Sequence, residues 1–190
     1  MVEQIRAALA SHTPRRIERD GLPRAAVLIA LYERDATHHV ILQVRSETVE
    51  HHKGQISFPG GAEDAGDVDL VMTALRESEE EIGLRREHVD VLGQLDDIVT
   101  ISNFVVSPYV GRVTKPGPYP FAASAHEVAE LLEVPLPYLH DPSTLNREPA
   151  PWRERLVPPP SYSFGGHVIW GATARVLQQF LELTRSPVAR

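Results

Sequence analysis

The sequence is compatible with an α/β fold, because strand-like and helix-like segments follow one another along it. Residues 24–32 form a continuous apolar run, as expected of a strand buried on both faces, and residues 40–45 form a second strand-like run after a turn. A helix ending near Gly83 comes next, and strand-like runs at 89–95 and 104–113 follow it. This order favours a sheet packed against helices.

Composition limits the classes of function. The chain has 190 residues, 42% of them hydrophobic, which is enough for a core. A formal net charge of −7 argues against a general nucleic-acid-binding surface, because no basic field is available to collect phosphates. Small nucleotide-like ligands stay compatible, since a metal ion and a few local cations can hold them. There is no Cys, which excludes disulfides and thiolate sites.

No signal for a membrane or for export is recognisable in the sequence. No apolar run approaches the ~18–20 residues that a membrane-spanning helix needs. A signal peptide is not visible either. We therefore expect a cytoplasmic protein with no membrane partner.

We expect a single domain over residues 1–190, with an N-terminal helix and basic connector (1–23) and a core (24–184). The helix should cover Val2–Ala10. Asp96 and Asp97 are interpreted as turn residues, and 115–123 as a Pro/Gly-rich loop. Later in the core we expect a short helix at 124–132 and a Pro-rich excursion at 143–162. A strand pair at 162–170 and a final helix at Gly171–Thr184 should follow.

The expected short helix at 124–132 has a start signal. Ser124 can be its N-cap, and Glu127 stands three residues later, where a capping box has its acidic partner. The first interpretation of Glu127 is therefore structural.

The helix before Gly83 carries a cluster of acidic residues. At about 100° per residue, Glu77, Glu80 and Glu81 share one face that spans ~100°. We call these three side chains the carboxylate face. A mostly apolar stripe lies beside it and can be buried; it consists of Val71, Leu75, Ser78 and Ile82.

Local stability does not explain the carboxylate face. Like charges three or four residues apart destabilise a helix by a few tenths of a kcal/mol per pair, and the last turn of a helix disfavours anions. A divalent cation with a preference for hard oxygen ligands, Mg²⁺ or Mn²⁺, would turn this repulsion into coordination. The alternative is a solvated acidic surface.

The stretch around this helix resembles the Nudix box, G-x5-E-x7-R-E-U-x-E-E-x-G-U, in which U is aliphatic. The matching positions are Gly61, Arg76, Glu77, Glu80, Glu81, Gly83 and Leu84. Asp67 stands in place of the first Glu, and residues 68 to 75 separate it from Arg76, one more than the pattern has. Ser78 replaces an aliphatic residue.

The preceding stretch resembles the coenzyme A pyrophosphatase branch of that family, L-L-T-x-R-S-x3-R-x3-G-x3-F-P-G-G. Here the spacing is kept from Ile41 through Arg45-Ser46 and Gly54 to Phe58-Pro59-Gly60-Gly61. Gln43 replaces Thr, and Glu50 replaces an Arg that could help to bind an anionic coenzyme.

The resemblance implies a Nudix α/β/α sandwich with a mixed central sheet and metal-dependent cleavage of a diphosphate bond. It implies Glu77, Glu80, Glu81 and the Gly61 carbonyl as ligands of Mg²⁺ or Mn²⁺. Arg76 would orient a ligand glutamate, and the general base would be a glutamate of the box or an outside acid such as Glu127. Arg45 and Lys53 are candidates for binding the substrate.

By this resemblance the substrate would be coenzyme A or an acyl-coenzyme A. One alternative is a Nudix hydrolase for another nucleoside diphosphate derivative, such as ADP-ribose, or for a nucleoside triphosphate, which the Glu50 replacement favours. Another is a Nudix domain that only binds a nucleotide-like effector.

Overall fold

A mixed sheet forms the centre of the molecule. The computed structural model describes residues 1–48, 54–115, 117–146 and 160–185. The strands of the main sheet are β1 Arg24–Arg34, β2 Thr37–Arg45, β3 Ile56–Ser57, β4 Gly60–Ala62, β5 Val89–Gln94, β6 Ile98–Val99, β7 Val105–Val113 and β8 Val128–Pro135. A small second sheet contains β9 Leu145–Asn146, β10 Ser161–Phe164 and β11 His167–Ile169. The α-helices are α1 Val2–Ala10, α2 Leu70–Ile82, α3 Leu136–His140 and α4 Gly171–Thr184.

Strand β1 is the centre of the main sheet. It pairs in parallel with β7 and antiparallel with β2 and β4. The predicted hairpin between β1 and β2 is confirmed, with a two-residue turn at Asp35 and Ala36, whose φ values of 50° and 57° match the twist of the strands. Strands β3 and β8 pair with β2, while β5 and β6 pair with β7.

Helices cover both faces of the sheet. Alternate residues of β1 point to opposite faces, so Leu28 and Tyr32 pack with α2, whereas Ile29 and Leu31 pack with α1 and α4. All four of these side chains are buried. The predicted α/β/α sandwich with a mixed sheet is confirmed. Among the described residues no helix is long and apolar enough to cross a membrane.

The predicted helix at 124–132 is wrong. Residues 124–127 form a turn, in which the N–H groups of Glu127 and Val128 donate to the Ser124 carbonyl, and β8 follows. The apolar residues of this segment fit a strand as well as a helix. Pairing with β2 decides between them, because it satisfies the backbone groups along β8, including those of Leu132 opposite Leu42.

The elements that follow β8 agree better with the predictions from the sequence. The predicted strand pair is the hairpin of β10 and β11, and the predicted final helix is α4. Most of the Pro-rich excursion at 143–162 lies outside the described residues, as does part of the stretch between β2 and β3.

The N-terminal connector is fastened to the sheet by two aspartates. Asp97 is buried and accepts hydrogen bonds from the Ile17 N–H (2.9 Å), the Ser107 hydroxyl (2.7 Å) and the Gln94 amide (3.2 Å). Asp96 accepts one from the Arg15 N–H (2.9 Å). These residues therefore do more than make a turn, because they join the segment after α1 to β5 and β7.

We predict that Asp97→Ala lowers the free energy of unfolding by about 2–4 kcal/mol, because it leaves a buried hydroxyl and a backbone N–H without their acceptor. Urea denaturation followed by circular dichroism measures this change. Asp20→Ala, at an exposed position of the same connector, is the control and should stay within about 0.5 kcal/mol of wild type. An unchanged midpoint for Asp97→Ala would contradict the anchoring role.

Candidate active site

Helix α2 is capped at both ends and buried along one side. The Asp69 side chain caps its first turn by accepting from the Met72 N–H (2.8 Å), and Gly83 ends it in the left-handed conformation, with φ 68°. Ser78, which replaces an aliphatic residue of the box, is buried and donates to the Ala74 carbonyl (2.6 Å). The hydroxyl is therefore satisfied, and the helix packs on the sheet at this position.

Two glycines of β4 let the backbone approach its neighbours, β1 on one side and helix α2 on the other. Gly60 has φ 149°, and a Cβ there would lie 2.2 Å from the Ala26 carbonyl oxygen. A Cβ on Gly61 would lie 2.5 Å from the carboxylate carbon of Glu77. Any side chain at either position would separate β4 from β1 or from the carboxylate face.

Glu81 is the most enclosed member of the carboxylate face, with 2% of its surface exposed. Its Oε2 accepts from the Gln43 amide (2.7 Å) and from the Gly60 N–H (2.9 Å), and its Oε1 lies 3.4 Å from Nη1 of Arg45. Burial raises the pKa of Glu81 to about 7, although these donors act in the opposite direction.

Arg76 lies between the other two glutamates. Its Nη1 donates to Glu77 (2.9 Å) and to Glu80 (3.1 Å). The Glu77 side chain is 18% exposed and that of Glu80 is 56% exposed. Burial raises the pKa of Glu77, and the hydrogen bond from Arg76 opposes this effect.

Asp67, in the loop between β4 and α2, orients Arg76. Its carboxylate accepts from both Nε and Nη2 of Arg76, each at 3.0 Å, and from the Thr73 hydroxyl (2.8 Å). The hydrogen bond from Arg76 holds the pKa of Asp67 well below its ordinary range. Although one more residue separates Asp67 from Arg76 than in the Nudix box pattern, the two side chains form a bidentate ion pair.

The remaining candidates come from the strands and the turn around the site. Arg45 lies next to Glu81, as described above. Glu127 lies in the turn before β8, its carbonyl accepts from the Ser46 N–H (2.8 Å), and its negative charge raises the pKa of Glu77. A second acidic residue close to this turn, Glu130, lies on the other face of the sheet, where it pairs with His167 (3.1 Å). Lys53 lies outside the described residues.

Sequence reasoning missed Gln43 as a partner of Glu81. The two residues are 38 positions apart and meet only because β2 lies under α2. The one available signal was the alternation on β2, which puts Gln43 on the same face as Arg45.

The oxygen donors of this site fit a hard divalent cation. Two carboxylates have raised pKa values, so a nearby cation would be favourable to both. Within the described part of the chain, no three carboxylate or imidazole groups converge closely enough to enclose an ion as they stand. Glu77 and Glu80 would have to turn from Arg76 to the ion, and the exposure of Glu80 leaves room for this movement.

We predict that Glu81→Gln stabilises the metal-free protein at high pH. The folded state raises the pKa of Glu81 from 4.5 to about 7. The contribution of the Glu81 side chain to the free energy of unfolding is therefore complete below pH 4.5 and is lost as the pH rises through about 7. Glutamine does not titrate. Between about pH 4 and pH 8 the free energy of unfolding should therefore shift in favour of the variant by up to about 3 kcal/mol.

Urea denaturation in EDTA at several pH values measures this difference. Glu18→Gln, at an exposed position of the N-terminal connector, is the control and should give a curve parallel to wild type. If the Glu81→Gln curve is also parallel to wild type, the carboxyl is not held in an unfavourable charged state.

Comparison with known proteins identifies the family. Residues 22–156, more than half of the chain, match the NUDIX domain. The Nudix hydrolase NudL of Photorhabdus laumondii is 33% identical over 169 residues, which cover 89% of this chain and 88% of the relative. The protein of the same name from Cronobacter sakazakii is 34% identical over 170 residues, covering 86% and 84%.

The fold comparison agrees with this family. The crystal structure of RenU, a Nudix hydrolase from M. smegmatis, aligns with a TM-score of 0.58 at 19% identity and covers 90% of this chain and 100% of that one. Nudix hydrolases act on nucleoside diphosphate derivatives and use divalent metal ions. The chain belongs to the Nudix family and is a Nudix pyrophosphatase.

Proposed function

We propose that this enzyme hydrolyses the diphosphate bond of coenzyme A or an acyl-coenzyme A to 3′,5′-ADP and 4′-phosphopantetheine or its acyl form. One observation carries this proposal: the segment that resembles the coenzyme A branch lies against the carboxylate face. From that segment Gln43, Arg45 and Gly60 contact Glu81, and Gly61 lies against Glu77. The substrate would bind where β2 and β4 meet α2.

In the proposed site Glu77, Glu80, Glu81 and the Gly61 carbonyl hold one or more Mg²⁺ or Mn²⁺ ions. A bound ion supplies charge neutralisation at the diphosphate and lowers the pKa of the attacking water. The protein holds these groups in place, because hydrogen bonds fix the Glu81 side chain and Gly61 packs closely against Glu77 of α2.

The proposed substrate-binding cations are Arg45 and Lys53. The Arg45 side chain is 25% exposed, so part of its guanidinium is open to a phosphate oxygen. The proposed proton acceptor for the attacking water is Glu127, whose charge acts on Glu77, or one of the box glutamates. Arg76 is tied to Asp67, and its proposed role is to orient Glu77 and Glu80 rather than to contact the substrate.

The test is product analysis by chromatography. Purified enzyme is incubated with coenzyme A, acetyl-coenzyme A, ADP-ribose and a panel of deoxynucleoside triphosphates, each with Mg²⁺ or Mn²⁺. We expect 3′,5′-ADP from coenzyme A or its acetyl form. Glu81→Gln should reduce its formation by about 10²-fold or more, because a buried ligand loses its charge. Glu87→Gln is the matched control and should act like wild type.

The other outcomes separate the parts of the proposal. Cleavage of ADP-ribose or a nucleoside triphosphate with coenzyme A untouched would overturn the substrate and direct attention to Glu50. Turnover that survives Glu81→Gln would overturn the role of the carboxylate face. Binding of a nucleotide without any turnover would favour the effector-binding alternative.

We predict that Asp67→Asn lowers kcat/KM by about 10–100-fold, the usual effect of removing a residue that orients metal ligands. Without the aspartate charge, Arg76 is free to draw more strongly on Glu77 and Glu80 and to hold them away from an ion. Asp64→Asn, in the same loop and without a side-chain contact to Arg76, is the control and should stay within about twofold of wild type. Equal rates for both variants would refute the orienting role of Asp67.

A further inference from the structure

A glutamine is buried under helix α2. Gln43 is 1% exposed and lies on β2, paired with Leu131 of β8 on one side and Ser57 of β3 on the other. A buried side-chain amide is unfavourable unless its polar atoms find partners. Its hydrogen bonds therefore show what the residue contributes.

The two carboxylate oxygens of Glu81 lie in different environments, and Gln43 contributes to this difference. The Gln43 amide (2.7 Å) and the Gly60 N–H (2.9 Å) both donate to Oε2 of Glu81. Among the described residues, Oε1 of Glu81 has only the 3.4 Å contact with Arg45. One oxygen is thus occupied by the protein, and the other stays able to accept a further partner.

The orientation of the Gln43 amide is fixed by charge. Its Nε2 faces the Glu81 carboxylate and has a weak second contact, at 3.5 Å, with the Ser57 hydroxyl. Its Oε1 is buried and has no hydrogen-bond partner among the described residues. Reversing the amide would place Oε1 against a carboxylate oxygen, so the amide donates to Glu81 even though its own acceptor is left unpaired.

We propose that Gln43 is a positioning residue that holds Oε2 of Glu81, so that Glu81 presents Oε1 to the divalent ion. This inference rests on the proposed metal role of the carboxylate face. An apolar residue of similar size would fill the same space without an unpaired buried acceptor, so packing alone does not explain an amide here. Gly60 is the second donor to the same oxygen, and its φ of 149° keeps that position a glycine.

The test is Gln43→Met, which keeps the length of the side chain and removes both amide donors. We expect the affinity of the purified protein for Mn²⁺, measured by calorimetry without substrate, to fall about 10–100-fold. The kcat should fall in parallel, while KM for the diphosphate substrate should change less than about threefold, because Gln43 is buried and acts through Glu81.

The matched control is Gln178→Met. Gln178 also donates to a glutamate, Glu182, at 2.8 Å, but on the exposed side of α4. It should bind Mn²⁺ like wild type. If folded Gln43→Met also has the Mn²⁺ affinity and kcat of wild type, the positioning role is overturned. If wild type itself neither binds Mn²⁺ nor cleaves any diphosphate, the proposed function fails first.

A measurement on the unmodified protein covers the case in which Gln43→Met does not fold. The side-chain amide protons of Gln43, assigned by NMR, should exchange with solvent at least about tenfold more slowly than those of Gln178, because they are buried and hydrogen-bonded. Their chemical shifts should move when Mg²⁺ is added. Exchange as fast as that of Gln178, or shifts that do not respond to Mg²⁺, would overturn the proposal.

Discussion

The hydrogen-bonded burial of Glu81 is the constraint on which the site depends. Helix α2 must lie close enough to the sheet for Oε2 of Glu81 to reach both β2 and β4. This distance requires glycine at position 61, where a Cβ would lie 2.5 Å from the carboxylate carbon of Glu77. Glycine at position 60 lets β4 lie against β1, because a Cβ there would lie 2.2 Å from a β1 carbonyl oxygen. Ser78, on the buried side of the helix, satisfies its hydroxyl within the helix by donating to the Ala74 carbonyl. The residues around Glu81 therefore specify a distance between helix and sheet as well as a charge.

The acidic cluster lowers the stability of the fold that contains it, and the chain offsets only part of this cost. Arg76 bridges Glu77 and Glu80, and Asp67 balances the charge of Arg76. Glu81 has weaker compensation, because its nearest guanidinium lies 3.4 Å away and its pKa is raised to about 7. A buried carboxylate that accepts hydrogen bonds but has little positive charge beside it would suit a cation-binding site. Selection for stability alone would remove such a carboxylate.

The sequence predicted what depends on local periodicity and missed what depends on distant pairing. The carboxylate face follows from helix geometry alone, so Glu77, Glu80 and Glu81 could be placed together without a structure. The segment at 124–132 could not be assigned in this way, because its strand exists only through pairing with β2. The contact between Gln43 and Glu81 could not be predicted for the same reason, and the hydrogen bond that Arg76 donates to Asp67 depends on the path of the loop between β4 and α2.

The three glutamates of the carboxylate face differ in how firmly the protein holds them. Exposure increases from Glu81 to Glu77 to Glu80, with side-chain values of 3%, 18% and 56%. Protein donors fix Glu81, while Arg76 is the only cation in hydrogen-bond contact with Glu77 and Glu80 within the described residues. A side chain that is mostly in water reorients at little cost, whereas a buried one with two donors does not. The face thus combines one preorganised carboxylate with one adaptable carboxylate, and this would suit the proposed binding of an ion and of a charged diphosphate.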